Sequence, residues 1–153
     1  MSVSLYGSGN TVIQVVSATS NTQFSTSSTS LQNTGFSATI TPQSTTSKIL
    51  IIANLQISYP GTGGAGFAIY RGGSSIWQPG PTNSTGLLTS YLSGSGGKNI
   101  YPLTYLDSPS TTSATTYNIY ISSYNGSQAG IINENGGTAT GQSSITLIEI
   151  SGS

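Results

Sequence analysis

The formally charged side chains are Lys48, Arg71, Lys98, Asp107, Glu134 and Glu149, and the chain has neither histidine nor cysteine. That set leaves little room for chemistry. Without imidazole or thiol there is no side-chain base titrating near neutrality, no thiolate nucleophile and no soft metal ligand. Asp107 stands before Ser108-Pro109, in what reads as a turn where its carboxylate accepts backbone N–H bonds. Asn133-Glu134-Asn135-Gly136-Gly137 offers oxygens to Ca²⁺, but one carboxylate and two amides fall short of the roughly six to eight ligands that ion takes. A hairpin tip is the expectation there. Glu149 falls on the face of Ile145 and Leu147 in a closing strand. It would either pair with Lys48 or Arg71 when half-buried or face solvent at a strand end. Serines abound, yet none has a candidate base, and no Gly-x-Ser-x-Gly elbow occurs. These residues predict neither an enzyme nor a cofactor.

The aromatic residues offer a different chemistry. Tyr59, Tyr70, Trp77, Tyr91 and Tyr101 lie in or beside a long Gly/Ser/Asn-rich stretch from Pro60 to Tyr101, with Tyr59, Trp77, Tyr91 and Tyr101 the candidate recognition residues. Rings flanked by small polar residues suit contact with sugar or protein, because a ring covers an apolar face while its neighbours hydrogen-bond. The leading expectation is that these rings instead plug the ends of the β-sandwich or a subunit axis, with recognition as the alternative. Val3, Leu5 and Tyr6 punctuate a Ser/Gly-rich N-terminus and form a candidate partner-docking arm that would add a strand to a neighbouring protein.

Short β-patterned segments must position these groups. Thr11–Val16 reads as the first strand, Gln23–Leu31 as a weak one, and Gly35–Thr41 as a clean alternation with Phe36, Ala38 and Ile40 on one face. Lys48–Tyr59 carries the strongest pattern. Ile49, Ile51, Ala53, Leu55, Ile57 and Tyr59 share one face, while Leu50 and Ile52 make the other apolar at its start. A strand apolar on both sides predicts burial by the core and again by a neighbour, such as another subunit. Phe67–Tyr70 and Ser75–Gln78 flank Gly72-Gly73, a hairpin signal. Leu87–Leu92, Tyr101–Leu106, Thr115–Tyr124, Ile131-Ile132 and Ser144–Ile150 complete the set. No amphipathic helical period appears, so the expected fold class is all-β, an antiparallel sandwich or jelly roll. The expected organisation is an arm over 1–10 and a single domain over 11–153.

Composition narrows the partners. Ser and Thr supply roughly one-third of the chain, charged residues 4%, and formal net charge is zero. Three scattered cations cannot neutralise a run of phosphates, which argues against nucleic acid. The longest apolar run, Ile49 to Ala53, is too short for a membrane helix. Met1–Gly9 lacks the charged and apolar regions of a signal peptide. A weakly charged surface is poorly protected from self-association, which suggests that it meets copies of itself.

Four segments together resemble virion structural proteins of tailed phages, chiefly from aquatic and cyanobacterial hosts. They are Val12-Ile-Gln-Val-Val16, Ile40-Thr-Pro42 leading to Lys48-Ile-Leu-Ile51, Tyr105-Leu-Asp-Ser-Pro109 with its Thr-rich run to Tyr117, and Ile145-Thr-Leu-Ile-Glu-Ile150. The resemblance spans Val12 to Ile150. It implies a jelly roll of tumour-necrosis-factor-like shape, a homotrimer on the virion exterior and no catalytic residues. The short N-terminus favours a capsid decoration (cement) protein that binds the major capsid protein and stabilises the shell. The alternative is the receptor-binding tip of a tail fibre that recognises host glycan or surface protein.

Overall fold

Alternation and turn chemistry carry through to the tertiary structure, a computed structural model that describes residues 11–60, 64–79, 87–88, 98–136 and 139–152. Every regular element among them is a strand. In chain order these are β1 (Val12–Ser20), β2 (Phe24–Thr26), β3 (Gln32–Ile40), β4 (Lys48–Ser58), β5 (Ala65–Arg71), β6 (Ser74–Trp77) and β7 (Leu87–Leu88). They continue with β8 (Lys98–Asp107), β9 (Thr115–Ser123), β10 (Gly130–Ile132), β11 (Asn135–Gly136), β12 (Ala139–Thr140) and β13 (Ser143–Ile150). The weak Gln23–Leu31 stretch holds only the short β2. After it, Ser28 N–H donates to Thr26 Oγ1 and Ser30 N–H to Ser28 Oγ, so hydroxyls compete with the ladder. β1 runs on to Ser20 and β8 begins at Lys98, both longer than the apolar residues alone suggest.

All strand pairs are antiparallel, and the first strand lies beside the last. The larger sheet runs β1-β13-β4-β8, and past the end of β13 the far part of β4 pairs with β10, which in turn pairs with β2. The second sheet runs β3-β9-β5-β6, with β7 also on β5. The pairs β1/β13, β3/β9, β4/β8 and β5/β6 nest inside one another along the chain. That nesting is a long hairpin rolled up on itself, the jelly roll. Gly72 and Gly73, at φ +57° and +82°, make the β5–β6 turn that L side chains would resist.

The core lies between the sheets. Ile49, Ile51, Ala53, Leu55 and Ile57 of β4 face Phe67 and Ile69 of β5, Tyr117, Ile119 and Ile121 of β9, and Phe36, Ala38 and Ile40 of β3. Ile145 and Leu147 fill in from β13. Each fully buried aliphatic side chain contributes about 1.5–3 kcal/mol. At Gly130 the sheets close tightly: a Cβ there would stand 2.6 Å from the Ser122 carbonyl oxygen and 3.0 Å from Ala65 Cβ. Gly130→Ala is therefore expected to destabilise the fold by about 2 kcal/mol through overpacking, read as a lower urea midpoint at unchanged m-value.

Candidate functional site

Strand register assembles an apolar surface that no single segment contains. On the outward side of the larger sheet, Leu106 pairs with Leu50, Leu50 with Ile148, and Ile148 with Val15, forming one row across four strands. Beside this row Ile52 sits between Thr104 and Thr146, and on its other side Ile150 pairs with Val12. Val12 is 62% exposed, Val15 56%, Leu106 53% and Ile52 38%. Leu50, Ile148 and Ile150 are half-buried among them. Lys48 is the one charge at the margin, and its ammonium donates to Ser108 Oγ at 2.7 Å. Among the described residues nothing covers this face. It is the second apolar side of β4, widened by three strands whose outward residues agree with it.

One step inward, the next cross-strand row reads Gln14, Glu149, Ile49, Asp107. Two carboxylates thus close one end of the sandwich, about 10 Å apart by strand spacing. Asp107 is not the expected turn acceptor. It is 5% exposed, accepts the Tyr117 hydroxyl at 2.7 Å and stands 2.9 Å from Arg71 Nη1. The trio links β8 of the larger sheet to β5 and β9 of the other. Burial, then the hydrogen bond to Asp107 and its negative charge, push the Tyr117 phenol well above its ordinary value, so it stays a donor.

Glu149 is fully buried and pairs with neither Lys48 nor Arg71. Its oxygens accept Gln14 Nε2–H at 2.6 Å and the Gln43 backbone N–H at 2.7 Å. Burial raises its pKa, but the polar donors around it, Gln14 and the Gln43 backbone N–H among them, outweigh that and hold the carboxyl below its ordinary value. A buried anion is satisfied here entirely by neutral donors, so it is a structural staple.

The loop aromatics point mostly inward. Tyr59 is 9% exposed with its hydroxyl on Asn125 Oδ1 at 3.0 Å. Trp77 and Tyr101 meet at Phe67, with ring centroids 5.6 and 6.3 Å away, and pack against the core. Tyr91 and the arm residues Val3, Leu5 and Tyr6 lie outside the described residues. In the Asn133–Gly137 stretch, Asn133 is buried, accepting from Ser143 Oγ at 2.6 Å and donating to the Thr22 carbonyl. The Glu134 and Gly136 carbonyls accept from Lys98 Nζ, so an ammonium takes oxygens a calcium ion would have used. Its β11 strand pairs antiparallel with β12. Among the described residues no three His, Cys, Asp or Glu side chains gather into a metal site.

Sequence reasoning overlooked Val15, Leu106 and Ile148 as surface residues, although the both-sided apolar runs Val12–Val16 and Ile145–Ile150 carried the signal. No protein-family model matches this chain, and no curated protein matches it. Among solved structures, one of infectious bursal disease virus, Gx strain, is similar with a TM-score of 0.46 and 18% identity. The match covers 89% of this chain and 36% of that one.

Proposed function

We propose that this chain is a structural subunit of a tailed-phage particle, a homotrimer on the capsid exterior that bridges shell proteins and stabilises their lattice. In this reading it performs no catalysis. The observation that carries the self-association is the Leu106–Leu50–Ile148–Val15 row. Contiguous exposed apolar surface of this kind marks an interface. Trimeric arrangement and virion placement are supported by the sequence resemblance. The low charge fits a protein whose surface meets other subunits.

Self-association through this face predicts three chain masses in light scattering after size exclusion at micromolar concentration. Leu106→Asp should reduce that to one while leaving the β circular dichroism intact, because Leu106 is already 53% exposed. A wild-type monomer, or a variant that stays trimeric, defeats the interface. Quantitative mass spectrometry of purified particles checks the placement: copies numbering in the hundreds support capsid decoration. A handful per particle would move the protein to a tail-fibre tip.

A further inference from the structure

The outward face of the β3-β9-β5-β6 sheet differs from the apolar face opposite. It carries Thr39, Thr116, Asn118 and Ser75, with Tyr70 and Tyr120 in their midst. The two tyrosine rings stack with centroids 3.8 Å apart and planes inclined by 16°. Both are half-buried, so each keeps an open portion. Tyr70 lies directly opposite Asn118, which borders a hollow of about 440 Å³. That hollow is lined by Arg71, Gly73, Pro109, Thr111 and Thr116 among others. Ring platform and hollow therefore adjoin along β9.

The chemistry of this surface selects its ligand. The Asn118 carboxamide, with two N–H donors and a carbonyl acceptor, has no partner among the described residues. Arg71 also lines the hollow, its side chain 29% exposed; Nη1 is buried against Asp107 at 2.9 Å, and the other guanidinium nitrogens carry further N–H donors. Asp107 balances the Arg71 charge, and Arg71 is the only charged residue lining the hollow. A phosphate or sulfate would meet no net positive field. A neutral molecule with an apolar face for the rings and a fringe of hydroxyls for amide, guanidinium and threonine fits each feature.

We propose that Tyr70, Tyr120, Asn118 and Arg71 form a binding site for a neutral oligosaccharide, one sugar ring against the tyrosine platform and the next in the hollow. The site lies on the sheet opposite the proposed subunit interface, so it does not rest on that reading.

The test is saturation-transfer difference NMR on the full chain with millimolar neutral tetrasaccharides built from glucose, galactose, mannose or N-acetylglucosamine. At least one should receive magnetisation from the protein. Tyr120→Ala and Asn118→Ala should each weaken that binding about tenfold or more while melting as wild type does. Asn118→Gln, which keeps the amide, should retain part of the binding that Asn118→Ala loses. Transfer to none of the four sugars overturns the proposal. So does transfer that survives both substitutions, or a preference for sulfated or sialylated sugars over neutral ones. The Leu106→Asp monomer should bind the same sugar as wild type, which separates failure of this site from failure of the interface.

Discussion

Asp107→Ala will cost about 3–5 kcal/mol of folding free energy, read as a lower urea midpoint at fixed protein concentration. Asp107 anchors Arg71 and Tyr117 at 2.9 and 2.7 Å, and Tyr117 is fully buried. Truncating the carboxylate strands a cation at the end of the sandwich and leaves a phenol hydroxyl in the core without an acceptor. Both groups lie on the sheet facing β8, so the damage falls between the layers. Tyr117→Phe removes one hydrogen bond and should cost only about 1–2 kcal/mol. Arg71→Met combined with Asp107→Leu should recover much of the loss, since an apolar pair of similar volume replaces a buried ion pair with little penalty. A midpoint for Asp107→Ala within error of wild type removes the trio from the account of stability.

Glu149→Ala is expected to destabilise by a similar amount, about 3 kcal/mol, for a different reason. No cation is released. Instead the Gln14 amide and the Gln43 N–H, 2.6 and 2.7 Å from the carboxylate, lose an acceptor that is itself fully buried. Gln14 also donates to the Thr41 carbonyl at 2.7 Å, so β1 and the β3–β4 connection loosen together. The carboxyl adds a pH dependence. Its folded pKa lies below the ordinary 4.5, so the folded state binds fewer protons than the unfolded one as the two titrate. Its contribution is complete above about 4.5 and is lost as pH falls through the lower, folded value. Thermal melts of wild type should therefore fall steadily as pH drops below that point, and Glu149→Gln should show a shallower slope there. Equal slopes for the two proteins below pH 4.5 would exclude Glu149 as the titrating staple.

Much of the strand framework was legible from residues. Phe36, Ala38 and Ile40, the odd-numbered positions of β4, and Tyr117, Ile119 and Ile121 all face the core as their alternation required. The two-residue period is local, so neighbours along the chain suffice to reveal it. The both-sided apolar start of β4 was legible too, as a strand in need of a second covering. The candidate sites fared differently. Tyr59, Trp77 and Tyr101 pack in or against the core, the plugging role expected of them ahead of recognition, because a large ring beside the core gains more from packing than from exposure. By sequence Tyr70 groups with these rings and Tyr120 reads as an ordinary strand residue, and only the pairing of β5 with β9 stacks the two.

The sequence by itself determined an all-β chain with zero formal net charge, neither imidazole nor thiol, and strands whose faces were already sorted. Tertiary structure alone decided which carboxylates are buried and what they touch. It also decided that Val15, Leu50, Leu106 and Ile148 share one row. Alternation says which side of a strand a residue occupies. It does not say which distant strand lies alongside, and when a hairpin rolls up so that its first strand meets its last, register between residues more than a hundred positions apart makes the surface.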